Sequence, residues 1–176
     1  MGNNGGVHYT LRLNYPASVT EVGQMLADPA FAAFAAQQTT PDGKVELVDV
    51  AGDAETGFTA TVRRTIPSSQ IPAQFRALAG AELEVRQAEV WEPEIDGQRR
   101  GTVSLEILGT PLIMTGTVKL VPAPDGGTTQ VYEGDIKANI PFFGAAIEKA
   151  AEEPVREALG FAEAAGKIWL SKNHLG

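Results

Sequence analysis

From Phe142 to about Leu170 the sequence carries one long helical pattern, in which Phe143, Ile147, Ala151, Val155, Leu159, Ala162 and Trp169 recur every three to four residues. Roughly 29 residues at 1.5 Å each make a rod of about 43 Å. Such a rod has one apolar stripe and must bury it along its whole length. The partner is written upstream. From Gly43 to Ala138 the apolar period drops to two, punctuated by Pro41-Asp42-Gly43, Glu55-Thr56-Gly57, Asp96-Gly97 and Pro124-Asp125-Gly126-Gly127. The expectation is an antiparallel meander long enough to wrap the helix. Pro154 cannot donate to the carbonyl of Ala150, so a kink, or two collinear helices, is expected there.

The meander strands are placed at about 44–52, 57–66, 82–92, 99–108, 112–121 and 129–138. A further strand precedes them: from His8 to Tyr15, Tyr9, Leu11, Leu13 and Tyr15 share one face, with His8, Thr10, Arg12 and Asn14 on the other. Pro16 ends it. Ser18-Val19-Thr20-Glu21 has the capping-box form that opens a short helix, and Asp28-Pro29 opens a second, carrying Phe31, Phe34 and Ala35. One hairpin fixes a trial register. A turn at 125–127 pairs Leu120 with Tyr132, Val118 with Gly134, Gly116 with Ile136 and Met114 with Ala138 on an apolar face. The polar face then pairs Lys119 with Glu133, Thr117 with Asp135 and Thr115 with Lys137. The order strand, two short helices, six strands and one long helix defines an α+β chain of the helix-grip type, a seven-stranded curved sheet around a C-terminal helix. Residues 1–6 read as a flexible leader, 7–172 as one domain and 173–176 as a tail. The stretch from Pro67 to Gly80, with Ile71, Pro72 and Phe75, has no regular pattern and is the long loop of the domain.

Composition removes several classes of function. Lys plus Arg number 14 against 22 Asp plus Glu, a net charge of -8 with no basic stretch, which argues against nucleic acid and anionic membranes as partners. No cysteine is present, so disulfides, thiolate nucleophiles and cysteine metal sites are excluded, in keeping with a reducing cytoplasm. No apolar run approaches the roughly 18 residues of a spanning helix, and the start lacks a signal peptide pattern, so a cytoplasmic protein is expected. His8 and His174 are the two histidines, at opposite ends of the chain, and no His-Glu-x-x-His, Gly-x-Ser-x-Gly or phosphate-binding glycine loop occurs. Neither metal nor cofactor is expected.

An ordered set of residues carries a family resemblance. Arg64-Thr65-Ile66-Pro67, Ile71-Pro72, Gly80, the spaced Val85, Gln87, Glu89 and Trp91, then Gly101-Thr102, Gly109-Thr110-Pro111, Gly116 and Leu120 resemble the bacterial domain of unknown function 2505 (DUF2505). Ile140-Pro141-Phe142-Phe143-Gly144, Ile147-Glu148-Lys149 and Trp169-Leu170 continue the likeness, which spans about Tyr9 to Leu170. DUF2505 lies in the START-like superfamily, with polyketide cyclases and lipid-transfer proteins. The resemblance implies the helix-grip fold and an internal apolar pocket, and no particular activity.

Leu83, Val85, Gln87, Glu89 and Trp91 share one face of a strand with apolar ends and two polar residues in the middle. Facing inward, Gln87 and Glu89 lie in the pocket, and the carboxylate needs a partner or a raised pKa. Arg64, on the face of Phe58, Ala60, Val62 and Ile66, is the candidate partner. The opposite orientation would bury Ala88 and Val90 but also Glu84 and Arg86. The inward set, with Leu105, Met114, Val118, Tyr132 and Ile136 from the sheet and Phe143, Ile147 and Ala151 from the helix, is the expected lining of a ligand site. Glu148 and Lys149 read as a solvated first helical turn, and Glu152 with Arg156 as a surface i, i+4 pair.

No catalytic constellation is present, which favours binding or transfer of a hydrophobic small molecule such as a lipid, isoprenoid or polyketide-like compound. Two alternatives stay open. One is a protein-interaction module, or homodimer, whose groove holds a polypeptide. The other is a cyclase or dehydratase with Glu89 as general base and Arg64 stabilising a developing enolate.

Overall fold

The computed structural model describes residues 6–40, 42–67, 82–108, 110–138 and 144–174, with side chains described as far as Lys172. In chain order these residues form β1 (Val7–Tyr15), α1 (Val19–Leu26), α2 (Pro29–Thr39), β2 (Lys44–Asp53), β3 (Gly57–Pro67), β4 (Glu82–Trp91), β5 (Arg99–Ile107), β6 (Leu112–Pro122), β7 (Thr128–Ala138) and α3 (Gly144–His174). The seven strands make one antiparallel sheet in the order β1-β7-β6-β5-β4-β3-β2. β1 crosses to pair with β7, so the first and last strands meet and α3 can lie over both.

The helices begin where side chains take up their orphan donors. Ser18 Oγ accepts from Glu21 N at 3.1 Å while Ser18 N donates to Glu21 Oε1, and Asp28 Oδ1 accepts from Ala30 N at 2.9 Å with Pro29 in the first turn. α3 is anchored at both ends. Glu148 Oε2 accepts from Ala138 N at 2.8 Å, so Glu148 is a clip to the end of β7 and not the solvated residue expected. Near the far end Glu163 Oε2 accepts from Asn14 N at 2.7 Å, and Gly166 lies so close to the Tyr15 ring that a Cβ there would overlap it. Trp169 packs edge-on against Phe31 at 5.5 Å between centroids, joining α3 to α2. α3 is a single helix of 31 residues, and Pro154 does not divide it. Pro154 lies on the exposed side, where water can reach the carbonyl freed by its missing N–H. On α3 the i, i+4 ion pair among the described residues is Glu163 with Lys167 at 3.9 Å, in place of Glu152 with Arg156.

The β6–β7 hairpin corrects the trial register by two residues. Leu120 faces Gln130, Val118 faces Tyr132, Gly116 faces Gly134, Met114 faces Ile136 and Leu112 faces Ala138. A shift of two keeps every side chain on its expected face, so the apolar and polar sides are unchanged. The glycines explain the choice. A Cβ on Gly134 would overlap the Thr115 carbonyl and come within 2.6 Å of Gly116 Cα, and one on Gly116 would overlap the Glu133 carbonyl. Two facing glycines permit a backbone approach that a glycine facing Ile136 would forbid. The turn closes as Ala123 N bonds Gly127 O at 2.8 Å, with Gly126 at φ +90°.

Candidate functional site

Alternation along β3 and β4 aims Phe58, Ala60, Val62, Arg64 and Ile66, and Leu83, Val85, Gln87, Glu89 and Trp91, at the concave side of the sheet. Val90, on the opposite face, is half exposed. Between this wall and the helices α2 and α3 lies a cavity of about 130 Å³. Arg64, Gln87, Glu89, Trp91, Leu105, Met114 and Tyr132 line it. Val118, Ile136, Ile147 and Ala151 do not, being buried in the core around it. Phe143, and the irregular stretch beyond Pro67, lie outside the described residues.

The helical wall comes from residues outside the expected lining, although Val155, Leu159 and Ala162 lie on the apolar stripe read from the sequence and Phe31 and Ala35 on that of the second short helix. α3 faces the cavity with Val155, Ala158, Leu159 and Ala162, one to three turns further along than expected, and α2 contributes Phe31 and Ala35. α2 is Ala-rich nearly all round, so its pattern gives no facing direction. Gln130 was missed for a different reason. It sits two residues from Tyr132 on the same strand face, and the alternation that placed Gln87 beside Glu89 would have found it.

The polar residues of the sheet wall form one chain of hydrogen bonds. Glu89 is the acceptor at its centre: Tyr132 Oη donates to Oε2 at 2.7 Å, Gln87 Nε2 to Oε2 at 3.3 Å, and Trp91 Nε1 to Oε1 at 3.0 Å. Gln130 Nε2 donates in turn to Tyr132 Oη at 3.0 Å. At the other end Arg64 Nη1 donates to Gln87 Oε1 at 3.4 Å. The expected Arg64–Glu89 ion pair is therefore not made. In register Arg64 stands opposite Val85 and Glu89 opposite Ala60, four residues along the strand, and Gln87 bridges the gap with its two amide ends.

Burial dominates the electrostatics. It pushes the Glu89 carboxyl above the usual carboxylate range, against the three donors that pull it down. Burial and then the Glu89 charge raise the Tyr132 hydroxyl well above its ordinary value, and Tyr15 shifts the same way for the same reasons. Tyr9 is pushed up to about 12 by burial, with Asp135 and Glu89 adding to it. Burial lowers Arg64. The phenols thus stay protonated through the neutral range, and Tyr132 acts as a donor to Glu89.

Arg99 is a second buried cation, away from this cavity. It donates Nη1 to Glu92 O at 3.0 Å and Nη2 to Ala54 O at 2.6 Å, and lies over the Phe58 ring at 5.7 Å, so it ties the β2–β3 turn to the end of β4. Among the described residues no three His, Asp or Glu side chains are grouped to hold a metal ion, and no helix is long and apolar enough to cross a membrane.

A curved antiparallel sheet gripping one long C-terminal helix is the helix-grip fold. A STAR-related lipid transfer protein from Xanthomonas axonopodis superimposes with a TM-score of 0.55, at 19% identity over 93% of this chain and 85% of that one. A START superfamily protein from Mycobacterium smegmatis gives 0.52, at 14% identity over 94% and 99% of the two chains. Residues 10–170 match the family described as Protein of unknown function (DUF2505), and the chain belongs to that family. The uncharacterized protein Rv0481c of Mycobacterium tuberculosis (strain ATCC 25618 / H37Rv) is 24% identical over 169 residues, 94% of this chain and 97% of the relative.

Proposed function

We propose that the protein binds a hydrophobic small molecule between the sheet and α3, with Arg64, Gln87, Glu89, Trp91, Leu105, Met114 and Tyr132 as contacts from the sheet and Ala158 and Ala162 as the floor of the site. The observation that carries this reading is the cavity itself: about 130 Å³, walled by apolar side chains with a few convergent polar groups on one side. A module that clasped its own core or a polypeptide would be expected to fill this space with side chains. The lipid-transfer name belongs to the Xanthomonas relative in fold; here it supports a bound apolar molecule as the class.

The enzyme reading rests on Glu89, which lines the cavity and is held above the usual carboxylate range. Its geometry favours a fixed acceptor over a working base. Three donors already occupy its two oxygens, and a carboxylate has about four acceptor sites. The test is native mass spectrometry of protein purified from its own host cells, followed by denaturing extraction. A stoichiometric apolar adduct is expected. Protein carrying no adduct, and binding none from a host lipid extract, would refute the reading.

A further inference from the structure

We infer that the molecule this cavity takes is a small, ring-sized monocarboxylic acid whose carboxylate pairs with the Arg64 guanidinium. The inference rests on the binding reading above and adds charge and size to it.

Arg64 is 6% exposed and lines the cavity. A guanidinium has five N–H donors. One is engaged, by Gln87 Oε1 at the long distance of 3.4 Å, and the Nε of Arg64 is sealed from solvent with no hydrogen-bond partner. No carboxylate lies within 4.0 Å of it among the described residues. The remaining residues, 1–5, 41, 68–81, 109, 139–143 and 175–176, contain no Asp or Glu side chain. An uncompensated buried charge is costly, and native proteins pair it. Arg99 shows the structural solution in this fold: although its Nε is likewise unpartnered, both Nη groups end on backbone carbonyls and the plane stacks on Phe58. Arg64 has neither.

Apart from the Tyr15 hydroxyl, the polar side chains lining the cavity beside Arg64 are spent on one another. Glu89 takes Tyr132, Trp91 and Gln87; Gln130 takes Tyr132; the Thr39 hydroxyl turns back to the carbonyls of Ala35 and Ala36. Arg64 is left as the basic group that a ligand can satisfy, and the planar fork matches a carboxylate with two parallel hydrogen bonds. Among the described residues Arg64 is the one cation on this wall, and the Glu89 carboxyl beside it is held by its own donors, so one negative charge is matched, whereas a phosphate dianion would bring a second charge that no other described cation on the wall meets. Size sets the remainder. An apolar cavity of about 150 Å³ admits benzene, so the space of about 130 Å³ beside Phe31, Trp91, Ala158 and Ala162, open on one side, has room for a single ring or its aliphatic equivalent.

The experiment is calorimetric titration of the purified protein at pH 7 with benzoate, benzamide and benzyl alcohol, repeated on Arg64→Gln and Arg64→Lys variants checked for folding by circular dichroism, with xenon binding as an independent probe of the cavity. Benzoate is expected to bind at least tenfold more tightly than either neutral probe, to lose at least tenfold in Arg64→Gln, and to be held by Arg64→Lys better than by Arg64→Gln. Neutral probes binding as tightly as benzoate, or Arg64→Gln binding benzoate unchanged, would overturn the charge assignment and leave the cavity standing, with Arg64 served by solvent only. Xenon bound but no benzoate bound would overturn the ring-sized acid alone. Failure of xenon and all three probes would remove the binding reading as well.

Discussion

Glu89 makes a distinctive demand on how stability changes with pH. Its carboxyl is raised by burial, so the folded protein takes up its proton at a higher pH than the unfolded chain, whose value is the ordinary one near 4.5. Between those two values the folded state holds more protons, and the derivative of unfolding free energy with pH is negative. Stability contributed through Glu89 therefore falls as pH rises above the ordinary carboxylate value and levels off beyond the folded one. One proton gives a slope of at most about 1.4 kcal/mol per pH unit. For a domain of this length that is about 3 to 6 °C in Tm per unit. Thermal unfolding of wild type and Glu89→Gln at constant ionic strength between pH 4.5 and 7.5 isolates the effect, because all other carboxyls are common to both proteins. Asp53, held low by its hydrogen bonds with Thr56, contributes with the opposite sign and cancels in the difference. Wild type is expected to lose ground to Glu89→Gln steadily as pH rises. A flat difference curve would refute the argument, and one that turned in favour of wild type with rising pH would show that the three donors outweigh burial.

Three other substitutions test the wall, the register and the cavity. Tyr132→Phe removes the 2.7 Å donor to Glu89 and leaves the Gln130 amide without its acceptor, for a loss of about 3 kcal/mol in urea unfolding; a loss under about 1 kcal/mol would contradict the network. Gly134→Ala forces a Cβ into the Thr115 carbonyl and should destabilise by about 1 to 3 kcal/mol or disorder the β6–β7 pairing, visible as lost amide protection in that hairpin. Ala162→Leu places a larger side chain in the cavity and is expected to change stability by less than about 1.5 kcal/mol while reducing ligand adduct at least tenfold; unchanged loading would show that the ligand lies elsewhere.

The elements of the fold were legible because each has a local cause: period-two runs between glycine turns, the Ser18 and Asp28 caps, and a helical stripe of 3.6-residue period. The sheet wall of the site was legible for the same reason. Alternation on β4 leaves no other way to bury Trp91 and Val85 than to bring Gln87 and Glu89 inward with them. What the sequence could not give depends on pairings between distant segments. The two-residue register error on β6–β7 preserved every face, so no pattern of polarity could expose it, and only the contact between Gly116 and Gly134 decides it. The missing Arg64–Glu89 pair is of the same kind, because separation along the strand depends on register. The helical wall was unreadable where the side chains are alanines, which favour helix without favouring a direction.

That contrast between the two walls has a consequence for which single substitutions the cavity can absorb. On the sheet side, Arg64, Gln87, Glu89, Tyr132 and Gln130 are links in one chain of donors and acceptors, and replacing any one strands its neighbour. On the helix side, Ala158 and Ala162 make no hydrogen bonds through their side chains, so each can be enlarged singly without orphaning a partner. On the proposed binding reading the two walls therefore differ in what a single substitution changes: on the strands it disturbs a connected set of polar groups, while along the helix it alters only the shape of the space.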